Sequence, residues 1–538
     1  MALALAWLSM SSAMAAENGE ATELAQVEVH GEKDDFDMRQ NASSTRLVYG
    51  REELDRMNEL TVSDYLRRLP GVTFTGPPGS PKDVRVRGMD KGYTQILIDG
   101  EAVPGGKERQ IQVDRLPLDL IERIEIIRAP TADMPNEGLA GTINIVLRQA
   151  PEQRIASARL VGGRVFGEQT DMDSYNLSGQ YGDRTGNVRW LLNASVGSRG
   201  ELKDKSKSEK TFVAATGVRN GWKDEFEDER TRSHTVDFAP RINIRLTDAD
   251  ELVLTPFLSR TDDHKVKEVD KFKYSTPATG TNYVGDGSKS ETEDKLRQIA
   301  RLLGEWKHKL GGGEWSVYAA AQQGGEDKVA RELNANGSFK SHAVEDAEQD
   351  ESEWFAGVRL KQKIGRHGIG AGLEYGDKSR EDEKITRNFN AAGTLTSTSA
   401  GGRSDNFDID EKRWVAYLQD EIRLVGSHTL PPGLRVKRLA REVVDGSGQQ
   451  FSSRTEFASP SLHYLWQVDG RNNLRASITE TVKPPKFDDL SPVTETKAGT
   501  LGDPDKSGNP DLKPEKAVGF ELGWEHFLPR MDVIGLRS

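Results

Sequence analysis

The sequence predicts an α+β domain over residues 36–150, followed from 151 to 538 by an antiparallel transmembrane β-barrel. Three observations predict it. Between Phe36 and Ala150, one helix-spaced stretch is interleaved with short β-branched runs. Beyond Pro151, apolar and polar residues alternate with a period of two. Turns in that second part are alternately short and long.

The first part begins with Glu52–Leu69, spaced as a helix that breaks and recaps at Thr61-Val62-Ser63-Asp64 and stops at Pro70-Gly71. Val72-Thr73-Phe74 and Val84-Arg85-Val86-Arg87-Gly88 read as strands. Gln95–Ile98 is a third, ending in the Asp99-Gly100 turn signal. Two longer strands, Ile121–Ile127 and Thr142–Leu147, flank a turn built from Pro130, Pro135, Gly138 and Gly141.

In the second part, Val188–Val196 and His234–Leu246 each keep their apolar residues on one face. Further strands read at 252–258, 296–310, 315–322, 354–363, 369–375, 414–424, 457–467, 474–481 and 518–527. Short turns at 183–187, 247–250, 311–313 and 469–472 alternate with long polar connections at 201–232, 262–294, 377–411 and 483–513. Short on one rim and long on the other is the layout of a transmembrane barrel, and Trp or Tyr near strand ends suits its interfacial girdles. A soluble sandwich explains the alternation but not the asymmetric loops.

Composition fits. The 538 residues are 35% hydrophobic and 30% charged, with no apolar run near the ~20 residues that a spanning helix needs. Barrel strands look hydrophilic on average because only one face meets lipid. There is no cysteine, so neither disulfides nor thiolate metal sites exist. A net charge of −12 argues against nucleic acid as a partner. Met1–Ala15 reads as a signal peptide with Ala13-Met14-Ala15 as its small-x-small cleavage site, although no Lys or Arg opens it.

The order of these motifs resembles the plug domain of TonB-dependent outer-membrane receptors. Leu66–Val72 and Arg85–Gly88 match its "LRRLPGV … RVRG", and Gln95–Gly100 its "ILIDG". Ile121–Pro130 and Gly141–Ile145 match "IERIEIIRGP … G..INI". The signature residues are Arg87, Gly88, Asp99, Gly100, Glu122, Arg123, Glu125, Arg128, Pro130, Gly138, Gly141 and Asn144. Ala129 replaces the usual Gly, and Met134-Pro135-Asn136 replaces the usual Tyr-Gly of the next turn. Gly508–Lys516 is similar to the family's "NPxLKPE" barrel segment.

The resemblance implies a plug at 36–150 inside a barrel of roughly 22 strands. About fourteen strands are counted here by alternation, and the chain lacks a terminal aromatic strand. The expectation is therefore a C-terminally truncated chain with an incomplete barrel. Between signal and plug, Leu24-Ala25-Gln26-Val27-Glu28-Val29-His30 alternates like a strand awaiting a partner, and its place matches the TonB box, where TonB adds as a strand. The implied activity is TonB-dependent uptake of a scarce ligand, by default a ferric siderophore. Cobalamin, oligosaccharides, peptides and a non-transporting adhesin or surface receptor are the alternatives. Implied partners are TonB with its inner-membrane complex, outer-membrane lipid and the small ligand.

Ligand contacts are expected from the plug-apex loops, at Thr75 and Lys82 in one and Lys107 and Arg109 in the other. Arg85, Arg87, Arg123 and Arg128 are expected to hold the plug against acidic lumen residues. No enzyme motif stands in its required context, and no metal site or cofactor is expected. Nine histidines form no HExxH, Gly162–Gly167 fits no nucleotide loop, and Asp34-Asp35, Asp262-Asp263 and Asp488-Asp489 read as solvated loop pairs.

Overall fold

In the computed structural model, the described residues are 38–76, 83–90, 92–104, 113, 116–167, 170–336, 339–400, 406–485, 489–490, 494–495, 506–509, 511–528 and 533–537. The expected signal peptide, the segment Leu24–His30, and Lys82, Lys107 and Arg109 lie outside them.

The plug is built on a four-stranded sheet. Its strands are β1 (Arg46–Tyr49), β4 (Thr94–Ile98), β5 (Ile121–Ile127) and β6 (Gly141–Leu147), in the order β1-β5-β6-β4. Only the β4–β6 pairing is parallel. A hairpin of β2 (Val72–Phe74) and β3 (Val84–Val86) lies beside it. The helical stretch divides into α1 (Arg51–Met57) and α2 (Val62–Leu66). Asn58 ends α1 in a left-handed conformation, and Thr61 caps α2 through the Asp64 amide. The break therefore starts at Asn58, ahead of the expected Thr61. Leu54, Leu66, Ile98, Ile124 and Ile143 are buried in the plug core.

Gly138 shows why the β5–β6 turn is glycine-rich. A Cβ there would lie 2.3 Å from the Gly141 carbonyl oxygen, a backbone atom with little freedom to retreat. Gly138→Ala should cost on the order of 1–3 kcal/mol through overpacking, seen as faster hydrogen exchange of the β5 and β6 amides than in the native chain.

The wall follows as an antiparallel run. Its first strands are β7 (Ile155–Phe166), β8 (Asp171–Thr185), β9 (Val188–Phe212), β10 (Arg219–Phe238), β11 (Arg241–Arg245), β12 (Asp250–Thr276) and β13 (Thr281–Leu310). Next come β14 (Gly313–Asn336), β15 (Phe339–Ile364), β16 (His367–Phe389), β17 (Leu395–Ala400), β18 (Phe407–Arg423), β19 (His428–Leu430) and β20 (Pro432–Asp445). The last are β21 (Gln450–Gln467), β22 (Asn472–Lys483), a small hairpin of β23 (Thr494–Glu495) and β24 (Lys506–Ser507), β25 (Glu515–Phe527) and β26 (Val533–Arg537).

These strands close into a barrel, with β26 beside β25 and next to β7. The expectation of an incomplete barrel is corrected in one respect, since its edges join. Alternation counts strands without revealing which ones are neighbours, and five residues without an obvious pattern suffice to join the two edges. Closure satisfies edge groups that lipid would leave unpaired, with fewer strands than the roughly 22 expected.

The long connections are corrected too. Most of 201–232, 262–294 and 377–411 is paired strand, and β13 alone runs for 30 residues, against the ~9–11 that cross a bilayer. Beyond the lipid both faces meet water, so the period-two signal vanishes while the pairing continues. Asp262 and Asp263, read as loop acids, lie within β12. Asp262 pairs with Arg260 at 3.1 Å and Asp263 with Arg297 at 2.8 Å.

Within the lipid-crossing part the alternation is as expected. Leu192, Val236, Leu258, Leu302, Leu373, Leu418 and Phe520 are exposed on the outer face, whereas Asn193, Thr235, Gln322, Glu353 and Arg475 are buried toward the lumen. Trp354, Tyr375 and Trp414 form one ring cluster, with centroids 5.4 and 4.8 Å apart. Among the described residues no helix is long and apolar enough to cross a membrane.

Candidate functional site: the plug clamped in the barrel lumen

Asp99 is the centre of the plug's attachment. The Asp99-Gly100 turn puts both residues at positive φ, 54° and 83°, a region that Asn, Asp and Gly tolerate. One Asp99 carboxylate oxygen accepts the Leu147 amide at 3.0 Å, bracing β4 against β6. The other receives two arginines from the wall. Arg241 is paired with it directly, and Arg301 lies 3.3 Å away. Both guanidiniums are buried, and each also donates to a plug carbonyl, Arg241 to Arg148 at 3.1 Å and Arg301 to Ile98 at 3.0 Å.

The signature residues around the turn form one chain of hydrogen bonds. The Gly100 amide donates to Asn144 Oδ1 at 2.8 Å, and the Asn144 amide group donates to Glu125 at 3.2 Å. Glu125 then takes Arg123 at 2.8 Å and lies 3.9 Å from Arg46. "IDG", "IERIE" and "INI" thus meet in one network, although 44 positions separate Gly100 from Asn144 and 19 separate Asn144 from Glu125.

Around the rest of the lumen the plug meets polar wall residues. Asp64 holds Arg199 at 2.6 Å, and Asp119 pairs with Arg159 and takes Ser178 at 2.7 Å. Burial opposes the charge on Asp64, but the hydrogen bond and charge of Arg199 outweigh it and hold the carboxyl below its usual range. Glu101 pairs with Arg359 and Glu137 with Lys437. Tyr93 donates to Glu515, the acid of the "LKPE" motif, at 2.8 Å.

A second attachment lies at the plug's start. Arg475 of β22 is buried, forms a 3.0 Å pair with Glu525, and donates to the carbonyls of Arg39 (2.8 Å), Gln40 (3.1 Å) and Ala42. Arg39 itself lies 3.3 Å from Glu525, and Asn473 adds a 2.9 Å bond to the Gln40 carbonyl.

The four plug arginines divide differently from expectation. Arg87 reaches the wall, 3.6 Å from Glu521. Arg85 pairs with Asp90, and Arg123 with Glu125, inside the plug. The Arg128 amide donates to the Thr45 carbonyl at 3.3 Å. Thr75 closes the base of its apical loop, donating to the Asp83 carboxylate at 2.9 Å and accepting the Asp83 amide at 3.0 Å. Pro130 lies against the wall, its carbonyl 3.3 Å from His463 Nε2. Gly88 turns at φ 70° after β3, and Glu122 is a half-buried member of β5.

A family model described as TonB dependent receptor-like, beta-barrel, matches residues 169–535, and one for the TonB-dependent receptor plug domain matches 38–142. The chain belongs to the TonB-dependent receptors. It is a receptor of the bacterial outer membrane, with a plug and a β-barrel.

The chain is 25% identical over 499 residues to an iron-regulated outer membrane virulence protein of Vibrio cholerae, covering 90% of this chain and 63% of that one. It is 24% identical over 513 residues to a ferric enterobactin receptor of Pseudomonas aeruginosa, covering 86% and 63%. The chain therefore spans somewhat less than two thirds of these relatives. Among solved structures it is similar to the siderophore receptor PiuA from Acinetobacter baumannii, with a TM-score of 0.62 at 15% identity, covering 93% of this chain and 72% of that one. It is also similar to the unliganded ferric citrate transporter FecA, with a TM-score of 0.60 at 14% identity, covering 92% and 69%.

Proposed function

We propose that this receptor takes up a ferric siderophore across the outer membrane, driven by TonB. The observation that carries the reading is a lumen closed by a plug that is held to the wall largely by polar contacts, at Asp64, Asp99, Glu101, Asp119 and Glu137. A permanent stopper would be served by an apolar interface, whereas ion pairs can exchange for water when the plug moves. Iron enters the proposal through relatives whose names place them in iron-regulated or siderophore-receptor roles. Fold and family are those of receptors and transporters rather than enzymes.

In this reading residues 1–15 are the signal peptide, 24–30 the TonB box, 36–150 the plug and 151–538 the barrel. Leu24, Ala25, Gln26, Val27, Glu28, Val29 and His30 pair with TonB as an added strand. The apical loops bearing Lys82, Lys107 and Arg109 meet an anionic iron chelate, and Thr75 shapes the first of them by closing its base.

Val27→Pro or Val29→Pro removes an amide that strand addition needs. Either change should abolish iron accumulation while leaving ligand binding at the cell surface intact. Unchanged accumulation would remove the TonB box from this segment, and surface binding without uptake in the native chain would favour the adhesin alternative.

A further inference from the structure

The two sides of the plug are held to the wall by different physics. Toward β10–β13 the contact is closed: Asp99 holds Arg241 of β11 and Arg301 of β13, both buried, and the plug core continues into the wall through Ala239 and Phe257, with Ile299 packed against it. Toward β15–β22 the contact is polar and leaves room for water. A cavity of about 130 Å³ lies there between wall and plug. On the plug side it is lined by β4, whose far edge pairs with no strand of the sheet, and by Glu101 and Glu137. On the wall side charged groups pair with one another, Arg413 with Glu353 at 2.9 Å and with Glu374 at 3.0 Å. Two plug-to-wall ion pairs, Glu101–Arg359 and Glu137–Lys437, cross this seam, with Gln322 donating to the Ala102 carbonyl at 3.2 Å.

Separating the β10–β13 side exposes apolar area, at roughly 25 cal/mol per Å², and strands the two arginines buried against Asp99, which is strongly destabilising. Separating the β15–β22 side trades ion pairs for hydration that the cavity has room to supply, and such exchanges are close to neutral once water reaches both charges. We propose that the plug hinges on the β10–β13 wall and opens along the seam facing β15–β20, so that a polar solute passes between β4 and that wall. The strap of residues 39–42, which Arg475 holds, lies on the neighbouring strands β22 and β25, so a pull on the plug's N-terminus loads the β15–β22 side first. The inference rests on the uptake reading for its purpose, but its test needs neither TonB nor siderophore.

The full chain, purified and reconstituted in planar bilayers, gives the readout as ion conductance. Glu101→Gln with Glu137→Gln should raise conductance several-fold over the native chain, and Arg359→Met with Lys437→Met, which neutralises the same seam from the wall, should do likewise. Asp64→Asn with Asp119→Asn, which removes two plug carboxylates elsewhere, should leave it near the native level. Because the chain has no cysteine, Gln95→Cys in the Glu101→Gln/Glu137→Gln background offers a single thiol on the seam. A bulky thiol reagent there should return conductance to the native level, whereas the same reagent at Ala215→Cys, exposed in the turn between β9 and β10, should not. An equal rise in the Asp64/Asp119 control, a rise that the reagent at Gln95→Cys fails to block, no rise in either seam variant, or a native chain already open would each overturn the proposal.

Discussion

Replacing Asp99 by alanine is expected to loosen the plug more than any other single change in its sheet. The substitution removes the carboxylate that two buried wall arginines share and the acceptor for the Leu147 amide. It also leaves a β-carbon in a left-handed conformation without the side-chain bond that compensates for it. Removing one partner of a buried ion pair costs about 3–5 kcal/mol because the remaining charge is stranded. Hydrogen exchange of the β4 and β6 amides should therefore accelerate roughly 10²- to 5 × 10³-fold if they exchange through plug opening. Asp99→Asn should fall between, since it keeps an acceptor for Leu147 and tolerates the backbone but neutralises neither Arg241 nor Arg301. Exchange unchanged in Asp99→Ala would mean that the arginines are satisfied by other groups.

The second large effect is expected at Arg475. Its guanidinium joins three carbonyls of the strap to Glu525, a fan of donors that a lysine ammonium cannot reproduce. Arg475→Ala should free residues 38–45 while leaving β4–β6 protected, seen as exchange or proteolysis confined to the strap. Arg475→Lys should recover little of the loss. If the whole plug loosens together, the strap and the sheet form one cooperative unit instead of two.

Much of this architecture is legible in the chain because it is local. Asp99-Gly100 reads as a turn, and Ile121–Ile127 and Thr142–Leu147 read as strands, since β-branched runs and turn residues act over a few positions. Alternation in Val188–Val196 and His234–Leu246 identifies the lipid-crossing part of the wall, where one face must be apolar. What the chain conceals is long-range. The Arg241–Asp99 contact spans 142 residues and the Arg475 contacts with the strap more than 430. Nothing beside Arg241, Arg301 or Arg475 in sequence distinguishes them from other lumenal arginines. The tall polar strands from Glu201 to Arg232 read as loops because their two faces meet the same solvent. Barrel closure by Val533–Arg537 is hidden for a related reason, since pairing is a property of neighbours that only the folded sheet defines.

The central claim is TonB-driven entry of iron through a plugged barrel. It is tested most directly by following radioactive iron, supplied as a panel of ferric siderophores, into receptor-deleted cells that carry this chain, with and without TonB. The account predicts accumulation from at least one ferric siderophore when TonB is present and only surface binding when it is absent. Equal accumulation in both strains would contradict the role of TonB, and binding of no ferric siderophore in either strain would contradict the assignment of iron.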